Sequence, residues 1–294
     1  MRAASLILLV LGALCVAALS RAPEEPPRTP DDVPILPRPA AIKVVFPGER
    51  LLAADYFWLI AINRIGAART PHEFRDSYYY ADLLTDIDPD FYYPYLFTAA
   101  ALPVRVGRVE YENTDLSTAL LKKGLARFPR DTRLRYQLAL NLIFYHHDYV
   151  AGANLLTELS REPGAPKLWA ALATRLYAQA GAFETSEELA RSLADNSTDP
   201  DERAFYAQRV LEIDQEKVLR LVDEAAARFK AARGRMPASV DELVATGELR
   251  ARPEDPMGGQ ISFDEDGRAR SSATNQRLEL IEDKEDTFEQ PAGH

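Results

Sequence analysis

From residue 48 to residue 232, apolar residues recur at spacings of three and four, and residues that end a helix follow every 12 to 20 positions. Such spacing places the apolar side chains on one face of an α-helix, and Gly, Pro and Asp-Pro breaks separate successive helices. Helices are predicted around 51–65, 71–87 and 115–128, among others. Strand patterns are almost absent before residue 260. The chain is therefore predicted to be all-α, with short amphipathic helices joined by tight turns.

A shift of the sequence by 34 residues aligns two consecutive predicted helix pairs. The aligned positions are aliphatic, small, aliphatic, aromatic, small and aliphatic in turn: Leu138 with Leu172, Ala139 with Ala173, Leu142 with Leu176, Tyr149 with Phe183, Gly152 with Ser186, and Leu155 with Leu189. Bulky residues of this kind interleave between antiparallel helices, while a small residue on each helix lets the backbones approach. The period predicts a helix-turn-helix unit that stacks on its own copies.

This period resembles the tetratricopeptide repeat, whose pattern is W-x2-L-G-x2-Y followed by A-x3-F. The matching residues are Trp169, Leu172, Ala173 and Leu176 in the first helix, Gly181 and Phe183 at the turn, and Ser186 and Leu189 in the second helix. The second helix departs from the pattern by one residue of spacing. The resemblance covers about residues 48–230. It implies a helical-repeat solenoid whose concave face binds a protein or peptide.

The only adjacent histidines, His146 and His147, are followed directly by Asp148. The 34-residue shift places these three on Ala180–Ala182, a predicted turn without metal-binding side chains. Neighbouring helical residues also point about 100° apart, so two adjacent imidazoles do not converge on one ion. We therefore interpret the triplet as a polar turn between two helices, and we predict no metal ligands and no cofactor.

A different pattern begins after a long predicted helix that ends at Gly234. Ser239 and Glu242 form a capping box for a short helix, and an Asp266-Gly267 turn follows the alternating residues 261–263. Residues 233–274 are thus predicted to form a small helix and β-hairpin module. The order of its motifs is similar to a module that closes bacterial envelope tetratricopeptide proteins and, loosely, to the C-terminal segment of type II secretion pseudopilins.

Pseudopilins of that kind can bind calcium in the corresponding region, which draws attention to three acidic residues here. Asp255, Asp264 and Asp266 are candidates for a calcium site, because hard cations prefer carboxylate oxygens. The spacing lacks the bidentate glutamate and the dense alternation of an EF-hand. Plain turn acids are the alternative.

The first 20 residues read as a targeting segment, with Arg2 ahead of an apolar run over residues 3–19. The run suits both a cleaved signal peptide and a retained membrane anchor. Cys15, the only cysteine, lacks the neighbours of a lipoprotein signal, although lipidation stays open as an alternative. Residues 21–47 are predicted to be a proline-rich linker, or alternatively a ligand for an aromatic groove. The location expected is the periplasm, with or without an inner-membrane anchor.

Composition excludes some classes of function. The net charge of -10 argues against nucleic-acid binding, because phosphate recognition needs an excess of Lys and Arg. No familiar catalytic or phosphate-binding motif is present, so no catalytic residues are predicted. Residues 275–294 are acidic and are predicted to be a disordered tail.

Aromatic residues are concentrated in FYYPYLF, residues 91–97. Helical spacing puts Phe91, Tyr95 and Thr98 on one face and leaves Tyr92 or Tyr93 exposed. Rigid rings give contact area at low entropic cost, so Tyr92 and Tyr93 are the candidate partner-binding residues.

The sequence thus predicts a non-catalytic interaction scaffold of the bacterial cell envelope, with secretion or pilus assembly as one setting. The alternative is an enzyme or enzyme subunit acting on a cell-wall or exported substrate. The oligomeric state is not predicted.

Overall fold

The computed structural model describes residues 33–45, 48–107, 110–274 and 276–279. This part of the chain is mostly helical, with 11 helices and a small hairpin near its end. The helices are α1 Pro39–Val45, α2 Arg50–Ala67, α3 Pro71–Ile87, α4 (a π-helical turn Pro94–Thr98 and an α-helical turn Ala99–Ala101), α5 Thr114–Arg127, α6 Thr132–Phe144, α7 Tyr149–Ser160, α8 Lys167–Gln179, α9 Phe183–Asn196, α10 Pro200–Arg233 and α11 Val240–Ala245.

Helix α1 lies within residues 21–47, which the sequence assigned to an extended linker. That boundary is wrong, because Pro39 begins a helical turn and Ile42 is buried. Ile42 belongs to an apolar cluster with Leu83 and Ile87 of α3. Proline is tolerated in the first turn of a helix, where its missing N–H has no intrahelical acceptor. The folded part therefore begins before residue 48.

From α5 to α10, each helix packs against the helix that follows it in the chain. Small residues stand at several of these contacts. A Cβ placed on Gly152 of α7 would lie 2.5 Å from Cγ1 of Ile143 on α6, and a Cβ on Gly124 of α5 would lie 2.9 Å from Cβ of Tyr95 on α4. Ser186 of α9 donates a hydrogen bond of 2.7 Å to the carbonyl oxygen of Thr174 on α8. At these three positions a small residue thus lets the neighbouring helix approach closely.

Two short antiparallel ladders interrupt the helices. The first pairs β1 Val104–Arg105 with β2 Tyr111–Glu112, and no strand was predicted there. The second pairs β3 Ile261–Phe263 with β4 Ala269–Ser271, which confirms the predicted hairpin. Its turn contains Gly267 at φ 79°, a left-handed conformation that favours glycine.

The C-terminal module shares its core with the end of α10. Val222, Ala226 and Phe229 of α10 form one buried cluster with Leu243 of α11 and Ile261 of β3. As predicted, Ser239 caps α11 and accepts a hydrogen bond of 3.3 Å from the Glu242 amide. The Glu242 carboxylate in turn accepts from the Ala238 amide at 2.7 Å. The module is therefore fixed to α10 through apolar burial, to which the short capped helix α11 contributes.

Residues 276–279, which we name the strap, run back over α10. The Arg277 guanidinium binds both carboxylate oxygens of Glu216 at 2.8 Å and one of Asp223 at 3.0 Å. Leu278 is 6% exposed and joins an apolar cluster with Ala178 and Ile213. The sequence placed this stretch in the disordered tail, and that boundary is too early, since Arg277 and Leu278 are buried. Residue 275 and residues 280–294 of the predicted tail lie outside the described residues.

The helix contact at Gly152 yields a first prediction. Gly152→Ala should lower the free energy of unfolding by about 1–3 kcal/mol, because the added methyl overlaps Ile143 in a packed core. Gly66→Ala is the matched control, because nothing lies within 4 Å of a Cβ at Gly66. Helix propensity alone then favours alanine by up to ~1 kcal/mol. Urea unfolding followed by circular dichroism should give opposite signs for the two variants, and equal signs would contradict this account of the contact.

The strap yields a second prediction. Arg277→Ala should lower the free energy of unfolding by about 3–5 kcal/mol at pH 7, because the Glu216 carboxylate then stays buried without the Arg277 guanidinium. The exposed pair of Arg191 and Glu187 is the control, since Arg191→Ala should lower the free energy of unfolding far less than Arg277→Ala does.

The loss in free energy of unfolding caused by Arg277→Ala should also depend on pH. Burial alone would raise the pKa of Glu216, but the hydrogen bonds and charge of Arg277 outweigh burial and hold that pKa below 4.5. Its stabilising contribution is therefore present above pH 4.5 and is lost as the pH falls through the lowered folded pKa. Without Arg277, burial favours the protonated acid. Urea unfolding should show that Arg277→Ala lowers the free energy of unfolding less near pH 4 than at pH 7. An equal loss at both pH values would contradict the ion pair.

Candidate partner-binding surface

The aromatic stretch lies where α4 begins, and the structure divides its residues between core and surface. Tyr95 is 1% exposed and Thr98 is 0% exposed, which confirms the predicted inward face. The Tyr95 hydroxyl donates a hydrogen bond of 3.2 Å to the carbonyl oxygen of Pro89. Phe91 belongs to the cluster that contains Ile42. The inward residues thus fix the position of the turn from which the two candidate tyrosines project.

Tyr92 is half-buried and has a structural role. Its hydroxyl donates a hydrogen bond of 3.0 Å to Oδ1 of Asp131, and the same oxygen accepts the Leu134 amide at 2.8 Å, which caps α6. The Tyr92 ring packs edge-on against Phe128, with centroids 5.6 Å apart. Burial, the hydrogen bond to Asp131 and the charge of that carboxylate together raise the pKa of Tyr92 to about 12. Tyr92 therefore joins the start of α4 to the start of α6.

Tyr93 is the exposed member of the pair. Its side chain is 62% exposed, and its ring packs edge-on against Tyr92 with centroids 5.8 Å apart. The neighbouring Tyr92 also lines a groove of about 420 Å³, together with Arg130, Asp131, Thr132 and Arg133. Tyr93 thus offers a ring held by a fixed neighbour, and that neighbour lines a polar groove with two arginines. Such a surface suits an acidic peptide with an apolar side chain.

The histidine triplet lies in the turn between α6 and α7, as predicted. Asp148 caps α7 and accepts the Ala151 amide at 3.0 Å. His147 adopts φ 52°, and His146 Nε2 lies 2.7 Å from the Thr118 hydroxyl. The three side chains therefore point to different neighbours, so this stretch has the geometry of a turn.

Two of the three acidic residues of the calcium hypothesis accept hydrogen bonds from donors within the protein. Asp255 accepts hydrogen bonds from the Met257 amide, the Gln215 amide group and the Ser271 hydroxyl. Asp264 accepts from the Arg268 amide and from Nε of Arg270. Within the described ranges no three His, Cys, Asp or Glu side chains are placed to hold a metal ion together. The carboxylates instead close the turns around the hairpin.

An apolar groove lies at the other end of the described chain, between α1 and α2. It measures about 560 Å³ and is lined by Pro37, Ala41, Ile42, Val45, Glu49, Leu52, Ala53, Tyr56 and Phe57. Leu52 is 64% exposed and Tyr56 is 60% exposed. Of the helices in the described part of the chain, none is both long and apolar enough to cross a bilayer. The predicted targeting segment lies outside the described residues.

Sequence reasoning missed a cluster of arginines between α8 and α10. Arg209 of α10 is 8% exposed, and Arg175 of α8 donates a hydrogen bond of 3.0 Å to the carbonyl oxygen of Glu279 in the strap. The seven-residue spacing of Arg209, Glu216 and Asp223 along α10 was the available signal, because it places them on one helix face. An ordinary acidic helix shows similar spacings, so the pattern alone did not stand out.

Comparison with known proteins gives no family assignment. Family models, curated proteins and solved structures all return no match for this chain.

The two tyrosines yield a third prediction. Tyr92→Phe should lower the free energy of unfolding by about 1–2 kcal/mol, because it removes a hydrogen bond to a carboxylate. Tyr93→Ala should change it by no more than about 0.5 kcal/mol, as expected of an exposed side chain. Thermal and urea unfolding of both variants would measure the difference. A larger loss for Tyr93→Ala than for Tyr92→Phe would contradict the assigned roles.

Proposed function

We propose that this chain is a non-catalytic scaffold of the bacterial cell envelope that binds a protein or peptide through tetratricopeptide-like repeats. The observation that carries the proposal is the exposed Tyr93 ring, packed on Tyr92 beside Arg130 and Arg133. An aromatic ring in a fixed position gives contact area without loss of conformational freedom on binding. Neighbouring guanidinium groups favour carboxylates of the partner.

The packing of positions 34 residues apart supports repeat stacking. Leu138 of α6 packs in a cluster with Tyr95 and Leu121, which belong to the preceding helices. Leu172 of α8 packs against a cluster that contains Ala139 and Leu156, again of the preceding helices. Corresponding leucines thus have corresponding neighbours. Stacked repeats would give an extended surface of the kind on which repeat proteins bind their partners.

The second helices of these two units support the same assignment. A Cβ on Gly152 would lie 3.4 Å from the carbonyl oxygen of Ala139, and Ser186 hydrogen-bonds to the carbonyl oxygen of Thr174 at 2.7 Å. Each small residue therefore meets the backbone of the first helix in its own pair. The apolar run over residues 3–19 and the prolines that follow it support a tethered or exported location.

Site-specific photocrosslinking in intact bacterial cells tests the proposal. A photoreactive phenylalanine analogue replaces Tyr93 in the full chain, and the same analogue at Val150 of α7, which is 41% exposed, serves as the control. We expect a discrete crosslinked protein from position 93 that is absent from position 150. Arg130→Ala combined with Arg133→Ala should reduce its yield severalfold, because those changes remove the basic side of the groove.

The absence of discrete adducts at position 93, or identical adducts at both positions, would overturn the assignment of this surface. Adduct formation unchanged by the arginine substitutions would contradict the charge argument for the groove.

A further inference from the structure

The face of α10 that carries the strap changes the sign of its charge along its length. Asp223, Glu216 and Arg209 follow one another at intervals of seven residues, which is close to two helical turns. Asp223 and Glu216 both bind Arg277 of the strap. Arg209 stands about 10.5 Å further toward the start of α10. The helix thus presents two acids followed by one base.

The strap runs along this face toward Arg209. At the hairpin, the Ala269 amide donates to Asp223 at 2.6 Å, and further along the chain the Leu278 amide donates to Glu216 at 3.2 Å. The next residue, Glu279, accepts a hydrogen bond through its carbonyl oxygen from Arg175. Arg175 is close enough for its charge, after burial, to contribute to lowering the pKa of Arg209. Glu279 therefore brings the chain to the two arginines.

The two arginines have unused hydrogen-bonding capacity. Nε of Arg175 and Nε of Arg209 are both buried and have no acceptor among the residues that the structure describes. Glu212 lies 3.2 Å from Nη1 of Arg209. The Glu279 carboxylate is not available to them, because it binds Arg268 at 2.6 Å through both oxygens. Glu212 thus faces Arg209, while Arg175 is held by the backbone carbonyl oxygen of Glu279, in a place where uncompensated charge and unpaired donors are costly.

We propose that Arg175 and Arg209 form a binding site for carboxylate groups, and that its occupant is the acidic segment at positions 282–286 of this chain. That segment reads Glu282, Asp283, Lys284, Glu285 and Asp286 and lies outside the described residues. Charge order supports it: the strap and tail change from basic Arg277 to acidic Glu282 and Asp283, while α10 changes from acidic Glu216 to basic Arg209.

Length supports the same pairing. Four extended residues from Leu278 to Glu282 span about 13 Å, against about 10.5 Å along the helix from Glu216 to Arg209. The chain is therefore long enough to bring a carboxylate to Arg209 without displacing Arg277 from Glu216. The site would hold the tail across α8 and α10.

A peptide-binding experiment with the full chain tests this proposal. The probe is a fluorescein-labelled synthetic peptide of residues 280–294, and its affinity is measured by fluorescence anisotropy for two chains. One is the natural chain, in which the tethered tail competes at high effective concentration. The other is the variant Glu282→Gln, Asp283→Asn, Glu285→Gln, Asp286→Asn. We expect the peptide to bind the neutralised variant at least about tenfold more tightly than the natural chain.

The site itself is tested in the neutralised variant. Arg209→Gln or Arg175→Gln should each weaken peptide binding about tenfold, and a peptide carrying the four neutral substitutions should bind as weakly. Arg191→Gln, on the exposed face of α9, is the control and should leave the affinity unchanged. Circular dichroism melting identifies any variant that does not fold. If one arginine variant does not fold, the peptide affinity of the other tests the site.

Equal peptide affinity for the natural and neutralised chains would overturn the tail as occupant. Binding that folded Arg175→Gln and Arg209→Gln chains retain, or that the neutral peptide shares, would overturn the carboxylate site. None of these readouts uses Tyr93 or an external partner, so their failure is distinguishable from failure of the proposed scaffold function.

Discussion

The close approach of neighbouring helix backbones is the constraint on which the rest of this structure depends. Ile143 has room only because residue 152 lacks a side chain, and the Tyr95 ring lies against Gly124 for the same reason. Short helices bury too little surface to be stable alone, so their stability comes from packing against sequence neighbours. The short turns in turn fix which neighbour each helix meets. Helices that are neighbours in the sequence are therefore also neighbours in the tertiary structure.

Helix α10 extends this arrangement from the helices before it to the C-terminal module. Its apolar residues near Phe229 belong to the module's core, and Ile213 packs with Ala178 of α8. A polar face of the same helix holds the strap through Glu216 and Asp223. One continuous helix contributes to both cores. Loss of the strap would therefore weaken the packing of both. The buried pair of Arg277 and Glu216 adds little net stability. Any position of the strap that separates the two side chains is, however, strongly destabilised.

Much of the helical content could be predicted, because its signals are local. The predicted helix at 71–87 has the observed bounds, and Ser239 caps its helix as expected. The reciprocal half of the predicted capping box is wrong, because the Glu242 carboxylate accepts from the Ala238 amide and not from that of Ser239. The histidine turn followed from the 34-residue period. The features that were missed depend on distant contacts: α1 exists because Ile42 meets α3, and the strap is ordered because Arg277 meets α10. An acidic sequence around one arginine looks like a tail until its partner 61 residues away is known.

The candidate site shows the same division between local and distant signals. Helical spacing predicted that Tyr95 and Thr98 point inward and that Tyr92 or Tyr93 is exposed, but it could not separate those two. The choice depends on Asp131, 39 residues along the chain from Tyr92. Asp131 caps α6 with the oxygen that holds Tyr92, so displacing Tyr92 would also weaken that cap. A partner bound at Tyr93 as proposed would therefore meet a ring whose support is tied to the start of α6, and its binding would require little rearrangement of the protein.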